Sequence, residues 1–351
     1  MKRNQFFLTL LGVATFSLTA FANKPNDDNK PYLVKTFSGN INAVRAETSG
    51  GSLSIEGGTD MNAKVEMYVR GNNGNGNLDK EEIEERLKDY DISIAQEGST
   101  IVATAKRRNN DRDNWKRSLS IAFKFYTPRK VTTDLRTSGG SIHLASLTGE
   151  QKFRTSGGSL HVSDIQGNIN GQTSGGSIHL DRCQAGASGE LDLQTSGGSI
   201  EAKSSSGKMR LHTSGGSIRL ADLKGNVDAQ TSGGSVHGED IAGDIKAGTS
   251  GGSIRLANVA GSIDASTSAG GIDLSLTQLG QYVRLSTSAG SINVKMPLDK
   301  GLTLNLSGNR IKIPLNNFSG STDKDRIKGT LNGGGIPVTL SASSGSVNVN
   351  Q

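Results

Sequence analysis

Thr213-Ser214-Gly215-Gly216-Ser217-Ile218-Arg219-Leu220-Ala221-Asp222-Leu223-Lys224-Gly225-Asn226-Val227-Asp228-Ala229-Gln230 is one unit of a repeat that organises most of this chain. The opening Thr-Ser-Gly-Gly-Ser recurs at Thr137, Thr155, Thr173, Thr195, Thr231 and Thr249, and as Thr-Ser-Ala-Gly at Thr267 and Thr287. Units are 18 residues long, except one of 22 around Cys183 and one of 20 around Leu279. An isolated copy starts at Thr48 and a faded one, Ala342-Ser343-Ser344-Gly345-Ser346-Val347, lies near the end.

Counted from its Thr, each unit carries apolar residues at positions 6, 8, 11, 15 and 17 and Gly at 13, here Ile218, Leu220, Leu223, Val227, Ala229 and Gly225. Alternation at 6 and 8, and again at 15 and 17, has the period of two that marks strands. Each unit thus predicts two short strands, joined by a corner at 9 to 13 and closed by Thr-Ser-Gly-Gly. Five apolar side chains cannot offset the ordering of so many residues in an isolated unit. Stacked units share ladders and bury each other's faces, so the sequence predicts an all-β solenoid, a single-stranded parallel β-helix of two-strand rungs with capped ends.

Two rival folds fit less well. A β-propeller with two units per blade needs inner and outer strands that differ, whereas neighbouring units here are near copies. A left-handed hexapeptide helix needs apolar residues every six, yet positions 12 and 18 are polar at Thr148, Gln166, Arg154 and Gln172.

The flanking regions have their own pattern. Met1-Lys2-Arg3, the apolar run from Phe6 and Ala20-Phe21-Ala22 follow the order of a secretory signal peptide over residues 1–22. Residues 23–136 read as an N-terminal cap with strands at Leu33–Thr36, Ala63–Arg70, Ile92–Ala95, Thr100–Lys106 and Ser118–Tyr126. A short helix is expected over 78–90, with Ile83, Leu87 and Tyr90 on one face. The repeat stack runs over 137–295, and 296–351 reads as a closing cap with strands at Leu302–Leu306 and Ile336–Leu340.

Composition agrees with a thin, repeated core. The 351 residues are 33% hydrophobic and 4% aromatic, with 47 glycines and a mean hydropathy of -0.41. The single cysteine, Cys183, excludes an intramolecular disulfide and fits a small core residue at position 11. Removing Lys2 and Arg3 leaves a formal charge near +4 of the +6, with both signs interspersed, which does not argue for nucleic acid. No second apolar stretch is long enough to span a bilayer.

Tyr126-Thr127-Pro128-Arg129 leading into Leu135-Arg136-Thr137-Ser138-Gly139-Gly140-Ser141-Ile142, the tandem SGGSI units, and the closing Leu331-Asn332-Gly333-Gly334-Gly335 with Gly345-Ser346-Val347 carry a resemblance. The chain resembles a bacterial envelope family called "putative adhesin", β-solenoid proteins of unknown function. That resemblance implies a periplasmic, cell-surface or secreted solenoid with an adhesive or envelope-associated role, and it brings no catalytic residues.

Three features are candidates for function. The outward position 7 reads His143, His161, His179, Glu201, Arg219, His237, Arg255 and Asp273 up the stack. Three consecutive histidines could serve a metal or a pH-sensitive contact, though a straight column diverges where tetrahedral zinc ligands converge; the same column fits a solvent-facing ladder left by duplication of one repeat. Position 10 stacks Asp222 on Asp240, a carboxylate pair that fits a polysaccharide-processing enzyme; as turn-forming residues, the same two fit a corner. The basic segment holding Arg107, Arg108, Arg112, Trp115, Lys116 and Arg117 suits docking on sugars, phosphate-bearing polymer or a membrane surface; it also fits a polar hairpin loop with Trp115 folded back on the cap.

No G-x-S-x-G, Walker, H-E-x-x-H or C-x-x-C motif occurs, and the glycine turns lack the Asp of calcium-binding nonapeptides. The sequence therefore predicts a non-enzymatic exported protein without metal or cofactor, which presents a repetitive surface to envelope polysaccharide, host glycan or surface protein. Alternatives are the Asp222/Asp240 enzyme and a self-assembling envelope-stress component.

Overall fold

The computed structural model describes residues 30–58, 62–72, 78–108 and 117–351. Successive repeats lie on one another in parallel register, and two long ladders result. In the first, Ile218 faces Ile200 below and Val236 above, one unit away in each direction. In the second, Val227 lies between Met209 and Ile245. Ile218, Leu220, Leu223, Val227 and Ala229 are all buried, so the five apolar positions form one inward column each.

The corner between the ladders has structure of its own. Position 12 forms single bridges in the early rungs, as Thr148 to Gln166 and Gln166 to Gln184. In later rungs the pairing is continuous through Leu223, Ile241 and Val259, so strands such as Ile218–Gln230 run on through the corner. The turn is made by position 10, which is left-handed in every unit from Ser146 to Asn258, with φ between 46° and 60°. The longer unit keeps register because its additional residues lie between Gln184, bridged to Ser206, and Glu190, paired with Lys208.

The pentapeptide closes the opposite corner. Thr213 is buried, and its Oγ1 donates to the Gly198 carbonyl of the rung below at 2.7 Å while accepting the Gly216 N–H at 3.3 Å. The contact recurs from Thr48 on Ile121 up to Thr287 on Gly270. A Cβ on Gly216 would stand 2.1 Å from the Gly198 oxygen, so the second glycine is a steric requirement. At the first glycine, Gly215, the nearest atom is 3.4 Å away, and Ala269 and Ala289 occupy the equivalent place higher up. The closing serine adds a further column, with the Ser217 N–H donating to Ser199 Oγ at 3.2 Å.

Core volume is traded between neighbouring rungs at position 17. Phe153 fills the space over Gly171, where a Cβ would meet its ring at 2.4 Å. Gln151, at an otherwise apolar position 15, is fully buried and satisfied by Thr133 Oγ1 and the Val131 carbonyl.

Both ends of the stack are interleaved. The rung of Ala43–Thr48 and Leu53–Gly57 lies under Thr132–Thr137 and Ile142–Ala145. On its other side it pairs in parallel with Thr100–Arg107 and Leu119–Thr127, which come later in the chain. The far end mirrors this arrangement. Ile336–Ala342 and Ser346–Asn350 pair with residues 283–287 and 292–295, while Leu302–Ser307 and Arg310–Lys312 lie outside them. Antiparallel strands then cover the ends: Ala63–Gly71 and Leu33–Phe37 on one ladder, Tyr90–Glu97 on the other, and Arg326–Leu331 with Phe318–Thr322 at the far end. Residues 31–351 form one compact unit.

The helix is shorter than expected, Lys80–Leu87, capped by Asp79, whose side chain accepts the Glu82 N–H at 2.7 Å. Tyr90 leaves the expected helical face and opens the strand Tyr90–Glu97, buried, with its hydroxyl accepting the Leu119 N–H at 2.7 Å. Tertiary pairing to Arg107 holds it there.

Candidate functional site

Position 7 points outward on the first ladder, and parallel register turns that sequence pattern into a column of side chains. His143, His161 and His179 are stacked ring on ring, with centroids 4.6 and 4.9 Å apart and planes within 6° of parallel. Parallel rings aim their nitrogens side by side, which is the wrong geometry for one tetrahedral ion. Among the described residues no group of three or more metal-ligating side chains is assembled. Burial lowers the pKa of His143, and burial together with the charge on its two neighbours lowers that of His161. Above the stack, His179 Nε2 lies 3.7 Å from Glu201, whose carboxyl is pulled down by the Lys203 ammonium.

The column continues as Glu201, Arg219, His237, Arg255, Asp273 and Asn293 in strict register. Arg255 Nε is 3.3 Å from Asp273, and Asn293 donates to the same carboxylate at 2.8 Å. Arg219 and His237 are different: among the described residues neither forms an ion pair, although the Arg219 charge acts on Glu201 one rung away. Burial and then the Arg255 and Arg219 charges lower the pKa of His237. A trough of about 740 Å³ runs along this face, with Ala221 and Ala257 leaving space between the longer side chains of Arg219, His237, Arg255 and Glu239.

A second groove, about 670 Å³, follows the pentapeptide corner. Its lining alternates position 18 with the exposed serine at position 2 of each unit, for example Gln194, His212 and Gln230 with Ser214 and Ser232. Nothing in one repeat marks this groove. It exists because polar positions 18 and 2 stack across several rungs.

Asp222 and Asp240 are exposed residues of the left-handed corner, with φ of 50° and 54°. Asp and Asn tolerate that conformation better than other residues with a Cβ, which accounts for Asp164, Asp222, Asp240 and Asn258 at one position. Asp240 accepts a hydrogen bond from Asn258 at 3.1 Å. At the same corner, Arg182 grips Asp164 at 2.8 Å and also pairs with Asp181, and that guanidinium holds the Asp164 carboxyl below its usual range.

Cys183 is buried in the core, with Sγ 3.3 Å from the Asp181 carbonyl, and burial pushes its thiol up to about 12. In the basic segment, Arg108 pairs with Asp91 at 2.6 Å and Arg117 with Glu85 on the helix at 2.9 Å. Arg107 lies at the end of Thr100–Arg107. Arg112, Trp115 and Lys116 lie outside the described residues, as does the expected signal peptide. Among the described residues no helix is long and apolar enough to cross a membrane.

These features define a nearly all-β repeat protein with outward columns of side chains and grooves that run from rung to rung. Residues 208–350 match the model of a family described as Toastrack DUF4097. No curated protein matches the chain. Among solved structures it is similar to a protein from Bacteroides fragilis described as a putative adhesin, at 14% identity over 90% of this chain and 96% of that one, with a TM-score of 0.30. A protein from Parabacteroides merdae with the same description is 13% identical over 92% and 97%, with a TM-score of 0.35. A putative cell adhesion protein from Clostridium sporogenes is 12% identical over 92% and 100%, with a TM-score of 0.21.

Proposed function

We propose that the protein is an exported, non-enzymatic β-solenoid of the periplasm or cell surface that binds a linear partner along its stacking direction. The supporting observation is the in-register stacking of outward side chains, which gives two grooves crossing several rungs each. A repeated surface of this kind fits a repeated ligand, and envelope polysaccharide, host glycan and extended surface protein all have that form. The chain from residue 23 is tested against glycan arrays, isolated cell wall and adhesion surfaces, with an unrelated solenoid as control. Binding above the control is expected, and silence in all three assays sinks the proposal.

Self-association has one observation in its favour. Among the described residues the outermost strand of one ladder, Leu33–Phe37, pairs on only one side, and Tyr32, Leu33 and Val34 at its start are 41%, 39% and 48% exposed. Such an edge can add another strand. Sedimentation at rising concentration should show association that a Leu33→Lys, Val34→Lys variant lacks; a monomer throughout removes this reading.

A further inference from the structure

We propose that the trough beside Arg219, His237 and Arg255 is an anion site for an acidic polysaccharide, with uronate carboxylates on the guanidiniums and sugar rings against the small side chains of the floor. The proposal rests on the binding function given above and specifies its ligand.

Three observations carry it. Arg219, His237 and Arg255 stand on consecutive rungs in one column, each directly over the last. The acidic members of the column lie at the two ends of this stretch, Glu201 one rung from Arg219 and Asp273 paired with Arg255. Between them His237 faces an arginine on either side, so the middle of the stretch has no carboxylate of its own in the column. Arg219 is exposed and, among the described residues, makes no side-chain ion pair, although its charge acts on Glu201 one rung away; its planar fork is open to bidentate recognition of a carboxylate.

The shape of the trough narrows the ligand class. Ala221 and Ala257 are small places in the floor with Glu239 on the rung between them, and the two arginines stand one above the other across His237 at about twice the 4.8 Å rung spacing. A polymer with carboxylates at intervals along an extended chain meets both arginines while its rings cover the floor.

The site should be pH-dependent. His237 faces Arg219 and Arg255 along the column, Glu239 two residues on along its own strand, and Glu201, Lys203 and Asp273 one rung further away. In the free protein burial and then the arginine charges disfavour its protonation, and a bound carboxylate opposes the arginines. Lower pH therefore adds a third positive charge to the complex and tightens binding.

The test is calorimetric titration of the chain from residue 23 with polygalacturonate, its carboxyl-reduced neutral counterpart and poly-L-glutamate, at about pH 7.5 and about pH 5.5. Polygalacturonate should bind at least about tenfold more tightly than the neutral polymer, and the Arg219→Gln, Arg255→Gln variant should lose about tenfold or more. His237→Gln should keep the affinity at the higher pH and lose the gain at the lower. Arg284→Gln, in a different outward column, should change nothing, and unchanged melting of all variants separates lost binding from lost fold. Equal binding of the neutral polymer, or no loss in the double arginine variant, overturns the proposal while leaving polymer binding intact. Tighter binding of poly-L-glutamate overturns the glycan in favour of an acidic protein. Silence with all three probes also overturns it, and the broader binding function falls only if the cell-wall and glycan assays are silent too.

Discussion

The hydroxyl of Thr213 donates to the Gly198 carbonyl one rung below at 2.7 Å and accepts the N–H of Gly216 in its own rung. One side chain thereby ties two successive corners together, in a buried place where a carbonyl without a partner is costly. Thr213→Val keeps the shape and removes both bonds, so it should cost about 1–3 kcal/mol. Thr213→Ser retains the hydroxyl and should recover most of the loss in urea denaturation.

The two glycines of the pentapeptide should respond differently to the same change. Gly216→Ala drives a methyl into the Gly198 oxygen and should destabilise by about 1–3 kcal/mol through backbone displacement. Gly215→Ala meets nothing closer than 3.4 Å and should leave the melting temperature nearly unchanged. Comparable losses for both would mean that the corner is not packed as described.

The histidine stack should make stability depend on pH. His143 and His161 hold protons less tightly folded than unfolded, so the unfolded chain takes up more protons below the ordinary histidine value near 6.5. Their contribution is whole above that value and is lost as pH falls from it towards the depressed folded values. In a His143→Gln, His161→Gln variant, urea midpoints measured at about pH 7.5 and 5 should differ less than in the parent.

Asp222 should be replaceable by Asn or Gly and not by a branched residue. Its φ of 50° is left-handed, so Asp222→Val should cost about 1–2 kcal/mol. Asp222→Asn should be neutral in thermal melting. The same pair of variants tests catalysis, because turnover of a polysaccharide that vanishes in Asp222→Asn while the fold is intact would restore the enzyme reading.

Cys183 should be inert in the native protein. Its thiol is buried and its pKa is pushed up to about 12, so a water-soluble thiol reagent should label it only after unfolding. Rapid labelling under native conditions would place it at the surface.

The inward pattern was legible because strand periodicity is local. Ile218, Leu220, Leu223, Val227 and Ala229 are apolar at positions whose direction is set by the period of two, and all five are buried. The left-handed corner was half legible, since Asp and Asn at position 10 signal a turn. The threonine was not, because its burial depends on a carbonyl one rung away. Tyr90 was misplaced for a related reason, as pairing with Arg107 outweighs a weak helical face.

By itself the sequence determined that the chain stacks, through a repeat too thin to fold as single units and too regular to vary in register. It also showed that the Thr-Ser-Gly-Gly-Ser copies are corners. Tertiary structure alone decided how the ends close, because placing residues 43–57 between 100–127 and 132–145 depends on pairings between distant segments that no local pattern encodes. It also decided which outward residues meet. His143, His161 and His179 become a stack, and Arg219, His237 and Arg255 a cationic column, only because parallel register sets equivalent positions one rung apart.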